Sequence, residues 1–230
     1  DHEIKIANKY LTWGWKNKKY KSKIINQGIL LNIKKFKRSK NANKITIIFA
    51  SRRRYTHSFE TGLGTENYLN YINFCSKYVN LLPKDFNESI VLRFPPDSKK
   101  EITSNDFYNT LSNKYNCYNA CSFSKACENS KLVVNTVNST PYLELLSANF
   151  PTITIWDPKS NPIRKDAKKY IKLLFDAKIL HYNPISAATF TKKIWESGVD
   201  KWWYSRKVQK ALKIFCNNYA KSNDNLIDQL

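Results

Sequence analysis

Hydrophobic and polar positions along the chain form two alternating kinds of pattern. Short, nearly continuous apolar runs that end at polar residues or Pro predict buried strands at 43–51, 89–94, 131–136 and 152–156. Longer stretches with apolar residues at helical spacing predict helices at 66–82, 104–115 and 140–148. Because strands and helices alternate, the pattern predicts an α/β fold with a Rossmann-like parallel sheet that carries helices on both faces.

The last third of the chain has a different pattern. Amphipathic segments there predict a helical C-terminal extension, with helices at 164–177, 184–197 and 204–221. We therefore divide the chain into a basic linker or interdomain segment, a Rossmann-like ligand-binding domain and a helical C-terminal part of the same domain, at residues 1–43, 44–160 and 161–230.

The charge of the chain is strongly positive and uneven. Of the formal net charge of +21, residues 1–54 contribute +14, from 16 Lys and Arg against two acidic residues. A basic surface of this size attracts polyanions such as nucleic acid, an anionic membrane or an acidic glycan. The alternative is a general bias of the composition toward Lys, Asn and Ile, and charge alone does not separate the two.

The remaining composition bounds the class of protein. The chain is 42% hydrophobic and 14% aromatic, as globular proteins are, and no apolar run approaches the ~18 residues of a membrane span. Five cysteines, an odd number, do not predict a disulfide framework, and Cys117, Cys121 and Cys127 lack a nearby fourth zinc ligand. We predict a cytoplasmic protein with reduced thiols and with no metal or cofactor. Since the chain starts at Asp1 and contains no Met, we expect it to be part of a longer protein.

Polar and basic residues follow the ends of the predicted strands, where ligands bind in open parallel sheets. These positions hold Arg52–Arg54, then Arg93 with Pro95, then Asn138–Thr140, and finally Asp157. Arg52 and Arg93 are candidate anion ligands. The alternative for Arg93 is a surface ion pair, and we expect only part of the Arg52–Arg54 run to face a pocket.

The stretch NSTPYLELL, residues 138–146, has the features of an anion-binding helix start. Ser139 or Thr140 stands at the cap position, and Pro141 follows in the first turn, where its missing N–H costs nothing. The free amides and partial positive charge of a helix N-terminus bind phosphate. Glu144, one turn later, either reaches a ribose hydroxyl or is a solvated helix residue. The alternative for the whole stretch is an ordinary cap.

No self-contained catalytic group of residues is recognisable in the sequence. His57, Glu60 and Asp157 are the titratable candidates for acid–base chemistry near strand ends. The chain has no nucleophile elbow, P-loop or Gly-rich dinucleotide turn. Catalytic residues therefore stay unassigned.

These motifs carry a resemblance to known enzymes. The succession of strand, Asn138-Ser139-Thr140, Glu144 and Asn149-Phe150-Pro151 resembles the donor-binding half of GT-B-fold glycosyltransferases. More closely, the chain resembles a bacterial family of transferases linked to surface-polysaccharide synthesis. The residues that carry this resemblance are TWGW at 12–15, Arg93-Phe94-Pro95, residues 136–158, Arg164, Ala167, His181–Pro184 and Trp202-Trp203.

The resemblance implies that residues 44–160 are a nucleotide-sugar-binding domain of the GT-B C-terminal type. The N-terminal domain of a longer enzyme would then carry the acceptor site. It implies metal-independent transfer from a CMP-, UDP- or GDP-linked sugar to a surface-polysaccharide or glycolipid acceptor. Phe94 stands where CMP-sugar enzymes have His before the proline, a departure that counts against CMP and leaves UDP and GDP open. The implied donor-binding residues are Arg52, Arg93, Pro95, Asn138, Ser139, Thr140 and Glu144.

The basic N-terminal part also predicts peripheral contact with an anionic inner membrane, where glycolipid acceptors reside. One alternative is a basic α/β module that binds nucleic acid or another polyanion without catalysis, through its charge and through aromatic residues such as Trp13 and Trp15. Since no nucleic-acid-binding motif is present, we do not expect nucleic acid as the partner. A second alternative is an accessory domain that binds nothing.

Overall fold

The structure, a computed structural model, describes residues 2–29, 36–50, 65–95, 102–118 and 121–222. It opens with helix α1 (His2–Ile6) and with strands β1 (Tyr10–Thr12) and β2 (Ile24–Asn26), which pair in parallel. The other strands form one sheet: β3 (Lys44–Ile48), β4 (Ile90–Arg93), β5 (Asn116–Cys117), β6 (Ser130–Asn135), β7 (Thr152–Ile155) and β8 (Leu180–His181). Short 3-10 helices lie at Lys18–Tyr20 and Lys84–Phe86.

The sheet has the strand order β5-β4-β3-β6-β7-β8, and all neighbouring strands are parallel. The chain starts in the middle of the sheet at β3, moves outward to β4 and β5, and then crosses back to β6 and continues to the other edge. This is the strand order of doubly wound nucleotide-binding folds, and it confirms the predicted Rossmann-like α/β class. The reversal leaves a switch point between β3 and β6.

Helices cover both faces of the sheet. Those that follow α1 in the described part of the chain are α2 (Thr65–Asn80), α3 (Ile102–Ser112), α4 (Phe123–Glu128), α5 (Thr140–Ser147), α6 (Lys168–Asp176), α7 (Pro184–Ser197), α8 (Val199–Trp203) and α9 (Arg206–Tyr219). Buried residues of α2, α3 and α7 pack on one side, called face 1, and those of α4, α5, α6 and α9 pack on the other, called face 2. Trp202 of α8 packs against the cores of both faces.

Strand side chains alternate between the two faces, as the period of an extended chain requires. In β3, Ile47 packs in the core of face 1 and Ile48 in the core of face 2. In β6, Val134 packs on face 1 and Val133 on face 2. Because helices cover both faces, these strands need apolar residues on both sides, which is why they form continuous apolar runs in the sequence.

The segment predicted as a basic linker contains β1 and β2 and packs against the end of α9. The Lys221 amide donates to the Trp13 carbonyl (2.9 Å), and the Ile29 amide donates to the Lys221 carbonyl (2.7 Å). Gly14 has φ +134, and a Cβ there would lie 2.9 Å from the carbonyl carbon of Asn218. Only glycine fits this backbone conformation and this close approach.

The C-terminal part of the chain is less purely helical than predicted. Helix α7 covers the predicted residues 184–197, and the Asn183 side chain caps it by accepting from the Ile185 amide at 2.8 Å. Leu180–His181, however, is a strand and forms the edge of the main sheet. The division into residues 1–43, 44–160 and 161–230 stays a prediction. None of the helices in the described ranges is long and apolar enough to cross a membrane.

Candidate functional site

The switch point brings three strand ends into one row. Arg93, Ile48 and Asn135 are register partners across β4, β3 and β6. Residues in register on parallel strands project to the same face, and Ile48 packs on face 2. Two strand spacings of ~4.8 Å separate the outer strands of this row, so Arg93 and Asn135 start ~10 Å apart. The register therefore places Arg93 on face 2, two strands away from the strand that leads into α5.

Helix α5 starts beside this row with an open first turn. Ser139 is the N-cap residue, with extended backbone (φ −144, ψ 176), but its side chain makes no capping hydrogen bond. The N-cap thus lies at one of the two positions that the sequence predicted, Ser139 or Thr140. The Ser139 hydroxyl, however, does not cap the helix and is available to a ligand. The first amides of a helix have no intrahelical partner, which leaves those of Thr140 and Tyr142 open, since Pro141 has none. Asn138 and Ser139 are half-buried and Thr140 is exposed, so the turn lies at the surface.

Arg93 is held in place by backbone carbonyls. Its Nη1 donates to the carbonyls of Tyr118 (2.8 Å) and Cys121 (3.0 Å), and its guanidinium carbon lies 5.8 Å from the centroid of the Phe123 ring. No carboxylate among the described residues forms a salt bridge with it. The structure therefore fixes a half-buried cation whose charge these bonds orient but do not neutralise.

The environment of Cys127 shows that Arg93 and Glu144 lie on the same side of the sheet. Burial raises the pKa of the Cys127 thiol to about 12; the nearby positive charge of Arg93 acts against this rise and the negative charge of Glu144 adds to it. Cys127 packs on face 2 with Ile48, the register partner of Arg93, and with Leu145, the neighbour of Glu144 in α5. Arg93 and helix α5, which carries Glu144, therefore lie on the same face of the sheet, and their role as parts of one site stays a prediction.

Asn135 fixes the loop between β6 and α5. It is fully buried, and its Nδ2 donates to the Val137 carbonyl and to the Thr154 hydroxyl, the latter at 3.1 Å. Its Oδ1 accepts from no residue that the structure describes. A buried acceptor without a partner is costly, so Asn135 leaves an open acceptor behind the start of α5.

A hydrogen-bonded chain on face 1 ties the same strand ends together. The Ala50 amide donates to the Tyr71 hydroxyl (2.7 Å), which donates to Thr136 Oγ1 (2.7 Å), which in turn donates to the Ile48 carbonyl (2.7 Å). Burial raises the pKa of the Tyr71 hydroxyl well above its ordinary value, so it stays protonated. This chain fixes the ends of β3 and β6, and sequence reasoning missed it because Tyr71 follows the apolar spacing of α2.

A comparison with protein families decides the identity of the chain. The model of the family described as LIC12162 family transferase matches residues 1–230, the whole chain. The chain belongs to the LIC12162 family of transferases. This confirms the predicted assignment to a transferase family. A comparison with curated proteins gives no match.

Other predicted site residues of this LIC12162 family transferase have different surroundings. Pro95 is half-buried after β4. Asp157 is half-buried after β7, and its Oδ1 accepts from the Lys159 amide at 2.9 Å. Arg52, His57 and Glu60 lie outside the described residues. The roles assigned to all of these residues stay predictions.

His181, from the His-x-x-Pro segment, is a buried structural residue of this transferase. Its Nε2 donates to the Lys178 carbonyl (3.1 Å), and its Nδ1 then accepts from the Ser186 hydroxyl (3.1 Å). Burial lowers the pKa of His181 to about 4, so the ring is neutral at physiological pH. Within the described ranges, no three His, Cys, Asp or Glu side chains come together as a metal-binding group.

Proposed function

We propose that this transferase is the donor-binding part of a GT-B-like glycosyltransferase. It would move a sugar from a nucleotide-sugar donor to a surface-polysaccharide or glycolipid acceptor. The observation that carries the proposal is that Arg93 and the open start of α5 share one face of the sheet at the switch point. In folds of this strand order, ligands bind in the crevice at that point. A family of transferases needs a site for an activated donor, and this crevice has the chemistry for a phosphate.

In this proposal, three kinds of protein group bind the phosphates of the nucleotide-sugar. The open amides of Thr140 and Tyr142 and the free Ser139 hydroxyl bind phosphate oxygens, as helix N-termini do. Arg93 adds a cation that is already oriented by its two carbonyl partners. Because these groups are fixed before the ligand arrives, they stabilise the negative charge that develops on the nucleotide as it leaves the sugar. The same groups supply the positive charge that a metal ion supplies elsewhere, which supports metal-independent transfer.

The remaining predicted residues complete this proposal. Glu144 lies one turn into α5 and would accept from a ribose hydroxyl. Asn138 precedes the helix start, and Pro95 and Arg52 follow neighbouring strands, so they would contact the sugar or the nucleoside. CMP-, UDP- and GDP-linked donors all stay open. Cytoplasmic location and peripheral contact of the basic N-terminal part with an anionic membrane belong to the same proposal.

The test is nucleotide binding measured by ligand-observed NMR at about 0.15 M salt. CMP, UDP and GDP are titrated into the wild type and into Ser139→Ala/Thr140→Ala. The matched control is Thr189→Ala/Ser197→Ala, since both of these hydroxyls are exposed on α7 on the other face. We expect one nucleotide to bind, and the site variant to weaken it roughly tenfold or more, because hydrogen bonds to a charged group contribute on this scale. Equal weakening by the control pair would show that the helix start is not the phosphate site.

The second candidate is a basic module that binds nucleic acid or another polyanion, which the net charge of +21 favours. Phosphate-backbone binding falls steeply with salt, with a log–log slope near −0.9 per contact. A short oligonucleotide titrated at two salt concentrations therefore separates the candidates. If only the oligonucleotide binds, and if it is released at higher salt, the proposed donor site is wrong and the basic binding module is the better interpretation.

A further inference from the structure

A groove along α6 lies apart from the donor site. It has a volume of about 550 Å³ and follows Lys168, Ile171, Lys172 and Phe175. These four positions have the spacing i, i+3, i+4 and i+7, which places them on one stripe of the helix over ~10 Å. The opposite wall is formed by the 158–163 loop and by Tyr182. The volume is that of a cleft for a small molecule or a single chain.

The floor of the groove is apolar and rigid. Ile171 is buried, and the rings of Phe175 and Tyr182 stack with their centroids 5.3 Å apart at an angle of 21°. Pro158 and Pro162 fix the backbone of the opposite wall. Phe175 keeps 37% of its surface exposed, although it is a large apolar residue. An apolar ligand would cover this surface and gain the corresponding free energy of burial.

The rim of the groove is cationic. Lys172 pairs with Asp176 (2.7 Å), and Arg164 beside the groove pairs with Asp166 (3.1 Å). Lys168, at the end of the groove near the start of α6, pairs with no carboxylate that the structure describes. The exposed positive charge continues at Lys165, which precedes α6, and over the outer surface of α6 and α9, at Lys169, Arg206, Lys207, Lys210 and Lys213. Lys168 and this surrounding charge therefore favour a ligand with an anionic head.

We propose that the groove binds a single-chain lipid phosphate, with the chain along Phe175 and Tyr182 and the phosphate at Lys168. A protein partner fits less well, because a stable protein interface buries roughly 800 Å² on each side, whereas this groove follows only ~10 Å of α6. Asn161 lines both the groove and a cavity of about 20 Å³ next to Thr136. The bound lipid would thus lie at the same edge of the sheet as the donor site. The proposal does not depend on the identity of the donor.

The test measures binding of decyl phosphate to the whole chain by calorimetric titration, at concentrations below the critical micelle concentration of decyl phosphate. Decyl maltoside supplies the same chain with a neutral head, and inorganic phosphate supplies the head alone. The groove variants are Lys168→Gln and Phe175→Ser. Their matched controls are Lys169→Gln, the next exposed lysine, and Ile185→Ser, an apolar residue with 48% exposure on α7. Thermal melting curves of all variants show whether they fold as the wild type does.

We expect decyl phosphate to bind the wild type at least tenfold more tightly than either partial ligand, and each groove variant to lose roughly tenfold in affinity. The controls should stay within about twofold. No binding of decyl phosphate, equal binding of decyl maltoside, or an equal loss with Lys169→Gln would overturn the proposal. The proposal would also fail if the protein bound anionic phospholipid vesicles and decyl phosphate did not displace it from them, since the protein would then adsorb to a charged surface.

Discussion

Replacing Tyr71 by Phe tests whether the hydrogen-bonded chain on face 1 fixes the strand ends at the switch point. Tyr78 offers a matched control on the same helix. Its hydroxyl donates to Thr191 Oγ1 (3.0 Å), which donates to the Ala187 carbonyl (2.9 Å). Tyr71 has the same arrangement with Thr136, and in addition it accepts from the Ala50 amide. The Tyr71 hydroxyl also hydrogen-bonds to the Cys75 thiol, one turn further along α2. The two substitutions therefore differ by the Ala50 N–H group and by this weak bond to sulfur.

The expected loss follows from this difference. Tyr78→Phe removes one buried hydrogen bond between hydroxyls, which contributes about 1 kcal/mol to the free energy of unfolding. Tyr71→Phe removes the equivalent bond and also leaves the Ala50 amide without its acceptor, a penalty of about 1–3 kcal/mol. We therefore expect Tyr71→Phe to cost about 2–4 kcal/mol, and to cost at least 1 kcal/mol more than Tyr78→Phe.

Urea denaturation followed by tryptophan fluorescence measures both values. An unchanged slope with a lower midpoint shows that the folded state lost stability. Thr136→Val and the double variant Tyr71→Phe/Thr136→Val complete a cycle that isolates the coupling between the two hydroxyls. Equal losses for Tyr71→Phe and Tyr78→Phe would refute the reasoning, because the Ala50 amide would then not depend on Tyr71.

Three further substitutions test other parts of the structure. Gly14→Ala should lower the free energy of unfolding by about 1–3 kcal/mol, and by more than Gly198→Ala. Both glycines have positive φ, but only a Cβ at position 14 meets backbone, 2.9 Å away. Urea midpoints compare the two variants, and equal losses would show that the backbone around Gly14 shifts to make room for the Cβ. Since burial lowers the pKa of His181 from 6.5 to about 4, the unfolded state binds a proton first, and about 3 kcal/mol of stability is lost as pH falls through this range. His181→Gln should remove this part of the slope in urea titrations at several pH values, and an unchanged slope would contradict the assignment. Arg93→Lys should weaken nucleotide binding in the NMR titration about as much as Arg93→Gln. Arg93 uses only Nη1 for the two carbonyls and keeps Nη2 and Nε for a phosphate, whereas the shorter Lys has to make every bond from one nitrogen. Full rescue by Lys would show that charge alone matters.

The sequence predicted the central strands well because burial on both faces leaves a local trace. The run 131–136 became β6 at Ser130–Asn135, and 152–156 became β7 at Thr152–Ile155. The strands at Asn116–Cys117 and Leu180–His181 have two residues each, too few for any periodicity. The pairing of β1 with β2 was missed for the same reason, since each has only three residues.

The parts of the candidate site that could be predicted are those set by neighbours in the chain. The cap position at Ser139 follows from local sequence, because a hydroxyl residue before Pro141 is a helix-start signal. Whether its hydroxyl is free depends on the folded structure and has no local signal. The bond between Tyr71 and Thr136, and the bonds from Arg93 to Tyr118 and Cys121, join residues that are distant in sequence. Only the assembled sheet brings these groups together.

The attachment of the N-terminal segment to the end of α9 has a consequence for the order of synthesis. Gly14 rests on Asn218, and Trp13 bonds to Lys221, so this segment has no docking surface until α9 exists. On the ribosome, the segment that holds β1 and β2 emerges before α9 and cannot dock until α9 follows, while β3 to β8 are made in between. Contacts of such high sequence separation form slowly. Exposed Lys-rich chain is thus what the nascent protein presents until α9 has been translated.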